Sequence, residues 1–353
     1  MRCPECEKID HLIFETTNLY FHFPTENSFS KFARFVGSED YPFDPLDNSI
    51  RVTLKHGQFE SFVEKLTQEF GEQERANTKV LSVDADTDNG EIKIEDFTRI
   101  VTLEQIVACV KGNWLIDLLE KRRFTSHFQP IFHSDGKSVF GYEALFRGLD
   151  DNGGIIAPGQ MFPLATSANL LFQLDLAARC SAVDAAHEQG LQDSKLFINF
   201  NPSSIYDPSY CLRETTKYIS ERGISPDQII FEVVESHYVA STNHLRGILT
   251  FYRKSGFEVA LDDIGSGYSG LNMMQDLKPG FIKIDMELIR GVDQDDYRQN
   301  IIQNLITMCH ANEGKVICEG IETEQEFKWL QDQGADYLQG FYLAKPSATF
   351  GTP

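Results

Sequence analysis

A chain of 353 residues exceeds what one small core fills and is read as two domains, since single cores seldom grow past roughly 250 to 300 residues. Its 41% hydrophobic and 12% aromatic content is that of a globular protein, and no apolar run reaches the roughly 18 residues that a membrane helix needs. The formal charge of −21 excludes general duplex nucleic-acid binding, which needs clustered Lys and Arg, and makes any chemistry on an anionic ligand dependent on bound cations.

The N-terminus, MRCPECEKID, lacks the apolar segment and small-residue cleavage site of a secretory signal, so a cytoplasmic protein is expected. Seven scattered cysteines fit a reducing compartment, with Cys180, Cys211, Cys309 and Cys318 read as small core or near-surface residues. Cys3 and Cys6 have the spacing of half a zinc site that His11 and His22 would complete, but no second pair follows and free thiols are the reading.

Residues 1–100 are read as a small α+β domain, regulatory in role. Leu12 to Phe23 suits a strand. Phe59, Phe62, Val63, Leu66 and Phe70 recur at helical spacing, which predicts an amphipathic helix over Gly57 to Phe70. Val80 to Val83 and Ile92 to Ile94 flank Asn89-Gly90, a hairpin signal. The Asp84 to Gly90 run with Glu95 is similar to a calcium loop, but its glycine is one place late and no helix enters it, so a solvated turn is expected. Thr102-Leu-Glu-Gln105 has the pattern of a capping box, and Ile106, Val107, Val110, Trp114, Leu118 and Leu119 continue an apolar stripe. A connecting helix is therefore predicted over 101–123.

From residue 124 to 353 the pattern becomes strand then helix. Strands are predicted at His127 to Phe132, Ser138 to Phe146, Lys195 to Phe200, Gln228 to Val234, Glu258 to Asp262, Phe281 to Ile284, Lys315 to Cys318 and Tyr337 to Tyr342. Helices are predicted at Gln173 to His187, Leu212 to Arg222, Asn243 to Lys254, Tyr297 to Ala311 and Glu324 to Gln333. This rhythm predicts an α/β fold, a modified TIM-like barrel of about eight strands. The link His133-Ser-Asp-Gly136 is too short for a helical crossover and makes the first strand antiparallel to the second.

Polar residues that a bare core would reject recur at the ends of these strands: Glu143, Asn199, Glu232, Asp262, Asp263, Lys283, Asp285, Glu319 and Gln339. Strand ends converge at one rim of such a barrel, where carboxylates repel one another unless cations neutralise them. Oxygen ligands of this kind favour two Mg2+ or Mn2+, and adjacent aspartates permit one to bridge a metal pair suited to phosphodiester hydrolysis.

In order along the chain, Glu143-Ala-Leu-Phe-Arg147, Asn199 in FINFNPSS, Glu232 and Glu235 in FEVVES, Asp262-Asp263 in LDDIGSGYSGL, Lys283-Ile-Asp285, Glu319-Gly-Ile-Glu322 and Gln339-Gly-Phe resemble the blocks of the EAL family. The resemblance implies hydrolysis of cyclic di-GMP to linear 5′-pGpG. It implies that Glu143, Asn199, Glu232 and Asp262 hold one metal, and that Asp262 bridges to a second completed by Asp263. Lys283 would position the attacking water, and Glu319 would act as base or as second-metal ligand. Gln129 and Arg147 would contact substrate, and Asp285, Glu322 and Gln339 would orient the ligands. Asp263-Ile-Gly-Ser-Gly-Tyr-Ser269 matches the family loop that couples the site to dimerisation, with Glu235 as its anchor, so a homodimer through the barrel is expected. Val234, Asn201 and Thr166 depart from the family's common Thr, Ser and Glu. The alternative function is a receptor that binds cyclic di-GMP without cleaving it and signals through the N-terminal domain; the complete set of metal and catalytic positions favours the enzyme.

Overall fold

The computed structural model describes residues 16–88, 94–190, 194–205, 207–234, 242–266 and 270–349. Expectations for Cys3, Cys6, His11, the Asn89-Gly90 turn, Ile92, Glu235 and residues 267–269 lie outside the described residues. Among the described residues two compact units are present: 16–122 with 159–171, and 123–158 with 172–349.

In the first unit β1 (Thr16–His22), α1 (Glu26–Ser38), β2 (Phe43–Leu46), β3 (Ser49–Lys55), α2 (Phe59–Glu69), α3 (Glu72–Asn77), β4 (Lys79–Asp84) and β5 (Ile100–Thr102) give an antiparallel sheet ordered β2-β3-β1-β4-β5. Alternation along β1 turns Leu19 and Phe21 inward. There they meet the stripe of α2, whose Phe59, Phe62, Val63 and Leu66 are buried at the predicted spacing. Phe32 of α1 is the hub of this core, with ring centroids 4.5 Å from Phe21, 4.9 Å from Phe23, 5.9 Å from Phe70 and 6.1 Å from Phe35.

Two local expectations are corrected. Ile94 opens a 3-10 helix (Ile94–Arg99) instead of closing a hairpin strand, and β4 pairs with β5. IEDFTR has no alternation of period two, whereas Ile100-Val-Thr102 is β-branched throughout and sets Val101 against the core. The stretch 101–123 is likewise not one connecting helix. Thr102 forms the capping box, its Oγ1 accepting from Gln105 N at 3.1 Å while Gln105 Oε1 accepts from Thr102 N at 2.8 Å. The helix it opens, α4 (Leu103–Lys111), buries Leu103, Ile106, Val107 and Val110 in the aromatic core, and the chain then breaks at Gly112 before α5 (Asn113–Glu120). Asp88 is occupied by the sheet, accepting from Asn18 Nδ2 at 2.7 Å and Tyr20 OH at 2.6 Å. Helix α6 (Pro158–Ser167) groups with this unit.

The second unit runs β6 (Phe124–His133), β7 (Val139–Leu149), β8 (Ile155–Ile156), α7 (Leu171–Glu188), β9 (Lys195–Asn199), α8 (Pro208–Glu221), β10 (Ile229–Val234), α9 (Thr242–Lys254), β11 (Glu258–Ile264), α10 (Gly270–Leu277), β12 (Phe281–Ile284), α11 (Met286–Ile289), α12 (Asp296–His310), β13 (Lys315–Cys318), α13 (Glu324–Asp332) and β14 (Tyr337–Leu338). The sheet is ordered β6-β14-β13-β12-β11-β10-β9-β7-β8 and closes because β6 also pairs with β7, leaving β8 as an appendage to a barrel. Strand β6 is antiparallel to both neighbours, and the rest of the ring is parallel, as the short link after His133 requires. That link turns at Gly136, whose φ of 65° suits glycine, while Asp135 Oδ1 accepts from Lys137 N and Ser138 N. Strand β14 is shorter than predicted. At Gly340 a side chain would come within 2.2 Å of Ile321 O, so the chain there presses on its neighbour and leaves the ladder. Cys309 and Cys318 are buried as free thiols, and Cys180 is half-buried.

Phe32→Ala should destabilise the first unit by about 3 to 5 kcal/mol, the cost of emptying a large aromatic site. Phe97→Ala, at a side chain 63% exposed, should change it by no more than about 0.5 kcal/mol. Urea titration followed by limited proteolysis checks both, and similar values for the two would contradict this packing.

Candidate functional site

Ile131, Phe197, Ile230, Ala260, Phe281 and Ile317, with Phe140 and Tyr337 packed against them, form an apolar layer inside the barrel. Because side chains on one face of a strand recur every second residue, the next inward positions are Asn199, Glu232, Asp262, Lys283, Glu319 and, after Tyr337, Gln339. On the reversed strand β6 the order inverts: Gln129 precedes Ile131 and lies opposite Glu143 of β7. One polar layer thus sits on one apolar plug, at the end of the barrel where the parallel strands finish.

Its centre is the Lys283 ammonium, 1% exposed. Nζ lies 2.6 Å from Glu232 Oε1, 2.6 Å from Glu319 Oε1, 3.1 Å from Asp262 Oδ1 and 3.6 Å from Glu143 Oε2. Burial alone would lower the lysine, but these carboxylates outweigh it and hold Lys283 charged, well above the ordinary lysine range. Burial pushes Glu232 and Glu319 well above the usual carboxylate range; neighbouring carboxylates add to this and Lys283 opposes it. Asn199 Nδ2 donates to Glu143 Oε1 at 3.1 Å and to Glu232 Oε2 at 2.9 Å, and Gln339 Nε2 donates to Glu143 Oε2 at 2.7 Å.

The strand pleat would send consecutive aspartates to opposite faces. In β11 the register slips between Leu261 and Ile264, and Asp263 adopts a φ of 58°, a left-handed conformation uncommon outside glycine. Its carboxyl is pushed up to about 7, first by burial and then by Asp262 and Asp285. The bulge therefore sets both aspartates in one field.

Other expected residues fall around this group. Gln129 Nε2 donates to Ala344 O at 3.3 Å, and the half-buried Arg147 donates to Phe146 O at 2.8 Å. Burial holds the Arg147 guanidinium below its ordinary range, against the pull of Glu143. Asp285 caps α11, accepting from Glu287 N at 2.8 Å. Glu322 is not brought into the cluster; 46% exposed, it pairs with Arg290 Nη2 at 2.6 Å. Two residues that sequence reading left unassigned, Asp175 and Arg179, are buried beside the loop that follows Asn199. An Asp–Arg pair at i, i+4 inside the mainly apolar run of α7 is the signal that marks them.

Among the described residues no three His, Cys, Asp or Glu side chains stand ready-spaced as a metal group, the carboxylates here being turned onto Lys283. The donor set nevertheless fits hard divalent cations. Four carboxylates face one ammonium, and Glu232 Oε1, Asp262 Oδ1, Glu319 Oε1 and Gln339 Oε1 are buried without an aligned hydrogen bond. Asn199 directs its amide nitrogen to carboxylates, which leaves its oxygen for a cation.

Residues 113–346 match the model of the EAL domain. The chain is 31% identical over 232 residues to "Probable cyclic di-GMP phosphodiesterase PdeB" of Escherichia coli K12, covering 65% of this chain and 44% of that protein. It is 29% identical over 218 residues to "Blue light- and temperature-regulated antirepressor BluF" of the same organism, covering 62% of this chain and 53% of that one. The chain thus spans about half the length of these curated relatives. A crystal structure of a standalone EAL protein from Vibrio cholerae O395, in a c-di-GMP bound form, is 36% identical with a TM-score of 0.59, covering 65% of this chain and 94% of that one. Klebsiella pneumoniae BlrP1 is similar in fold alone, at 22% identity and a TM-score of 0.59, over 94% of this chain and 96% of its own.

Asn199→Asp would remove the donor shared by Glu143 and Glu232 and add a further carboxylate. In EDTA at neutral pH it should lower stability by about 3 kcal/mol, the scale of two lost hydrogen bonds to charged groups. Urea titration measures this, and an unchanged midpoint would show that these bonds do not hold the cluster.

Proposed function

Because the chain belongs to the EAL domain family, we propose that it is a metal-dependent phosphodiesterase that hydrolyses cyclic di-GMP to linear 5′-pGpG. The reading is carried by the buried Lys283 ammonium among Glu143, Glu232, Asp262 and Glu319. It is supported by the similarity to PdeB and to the c-di-GMP bound protein of Vibrio cholerae.

On this reading Glu143, Asn199, Glu232 and Asp262 would hold one Mg2+ or Mn2+, and Asp262 and Asp263 would hold a second. When bound, the pair supplies Lewis acidity at the phosphate and offsets the carboxylate charge. Lys283 orients and polarises the attacking water. Glu319 accepts its proton: at 18% exposure against 0% for Glu232, it is the most open of the carboxylates touching Lys283 and can pass that proton to solvent. The water oxygen bonds to phosphorus as the bond to the ribose 3′ oxygen breaks in line. The 3′ oxygen leaves as an alkoxide and takes a proton from solvent, equal to the one Glu319 releases there, and the phosphate stays on the 5′ side. Arg147, on the same strand as Glu143, meets phosphate, and Gln129, opposite Glu143 in the β6–β7 pair, meets another part of the substrate. Gln339 keeps Glu143 turned inward.

The first unit, with its own hydrophobic core, is proposed to regulate the barrel. A homodimer through the barrel is part of the same reading, supported by Leu271 and Met286, exposed at 63% and 38% on the consecutive helices α10 and α11. Leu271→Lys should then shift sedimentation velocity toward monomer, and an unchanged coefficient would remove that support.

Incubation of the full chain with cyclic di-GMP and Mg2+ or Mn2+ should release 5′-pGpG on chromatography, and EDTA should abolish it. Glu319→Ala should reduce turnover by about a hundredfold or more, the scale of a lost general base. Binding without turnover would replace the enzyme with a receptor.

A further inference from the structure

We propose that Asp175 and Arg179 of α7 are positioning residues that fix the Asn199 amide at the barrel rim by clasping the backbone two residues beyond it. The inference rests on the phosphodiesterase reading only for the purpose it gives to metal binding.

Both side chains are 2% exposed, and Arg179 Nη2 lies 3.0 Å from Asp175 Oδ2. Asp175 Oδ1 accepts from Asn201 N at 2.8 Å. Its Oδ2 accepts from Ser204 Oγ at 2.7 Å and from Arg179 Nε at 3.0 Å. Arg179 Nη1 donates to Thr215 Oγ1 of α8 at 2.7 Å, so the pair ties α7, the loop after β9 and α8 together. From the barrel side, Phe200 N donates to Glu232 O at 3.1 Å. The residues following Asn199 are thus held in turn, by the neighbouring strand β10 at Phe200 and by α7 at Asn201. A shift of about 1 Å in this loop would break the Asn199 bonds to Glu143 and Glu232, since hydrogen bonds weaken steeply away from ideal geometry.

Packing alone does not call for such a pair. The same helix buries Leu174, Ala182, Val183 and Ala186 as ordinary apolar contacts, and a buried ion pair contributes little stability beyond what apolar residues of similar volume would give. What the pair adds is direction: the hydrogen bonds that Asp175 accepts from outside the pair come from Asn201 and Ser204, in the segment that leaves Asn199. Residues that orient a ligand in this way set metal affinity.

The test compares two double variants of the full chain that both lack the ion pair. Asp175→Leu with Arg179→Met removes the acceptor, whereas Asp175→Asn with Arg179→Met keeps an amide oxygen facing Asn201 N. Mn2+ affinity is read by electron paramagnetic resonance, with the melting temperature beside it. The leucine double should melt cooperatively yet bind Mn2+ about tenfold or more weakly. The asparagine double should stay within about threefold of wild type, the span of one hydrogen bond. Wild-type affinity in both doubles, or equal loss in both, would overturn the proposal, as would a wild type that binds no Mn2+. Should the leucine double not fold, Ser204→Ala is decisive: about threefold weaker binding supports the clasp and unchanged binding overturns it. A wild type that binds Mn2+ but does not cleave cyclic di-GMP would defeat the phosphodiesterase reading and leave this test in force.

Discussion

The second unit depends on mutual repulsion among carboxylates that its strands force together. Glu143, Glu232, Asp262 and Glu319 all approach one ammonium, and an ion of either sign buried alone would be far too costly to keep. Lys283 answers that repulsion from within, but a single positive charge does not balance four negative ones. Burial and the neighbouring carboxylates push Glu232 and Glu319 up, toward proton uptake, and cations from solution would relieve the same repulsion. On the proposed reading, protons and divalent ions would be alternative answers to one electrostatic deficit, and the acidity of the whole chain does not oppose cation entry.

Regular geometry brings the group together, and one irregularity finishes it. Period-two alternation places each polar residue one inward step above the apolar plug, and the plug shields the polar layer from the far end of the barrel. The reversal of β6 changes the order of Gln129 and Ile131 without changing the layers. Within the polar layer Asp263 breaks the alternation, through the slipped register of β11 and a left-handed backbone. Strain of this kind persists where surrounding structure enforces it; here Ile264 pairs with Ile284, and Asp285 N donates to Ile264 O at 3.1 Å on the far side of the bulge.

Much of this was legible before any coordinates. Every expected barrel strand is present because buried parallel strands are short apolar runs between turn residues, and their polar outliers, Asn199, Glu232, Asp262, Lys283 and Glu319, stood out against those runs. The residues that escaped did so for definite reasons. Glu322 belongs to the same block as Glu319 but lies beyond Gly320 and Ile321, where no strand directs it inward, and Arg290 holds it near solvent. Helix α4 has the apolar stripe predicted for it, yet periodicity cannot tell a helix that links two domains from one that completes the core of the first. Asp175 and Arg179 could be mistaken for an exposed i, i+4 pair, because nothing in local spacing reveals that loop 201–204 and α8 cover them.

The two buried charge groups of the barrel solve different problems with the same chemistry. Around Lys283 the charges are unequal and poorly aligned as hydrogen bonds, which leaves oxygens available and makes the group responsive to what enters it. Around Asp175 they are balanced, and the distances are those of well-formed hydrogen bonds, which makes that group rigid and indifferent to ions. A site that must change its charge state during a reaction needs ligands whose positions do not follow the charge, since a side chain free to relax would move off with every proton or cation exchanged. On the proposed reading, anchoring Asn199, the uncharged member of the proposed ligand set, from a balanced pair outside the barrel would meet this condition. Its amide can steer two repelling carboxylates only while its own backbone is held by groups that do not share their electrostatics.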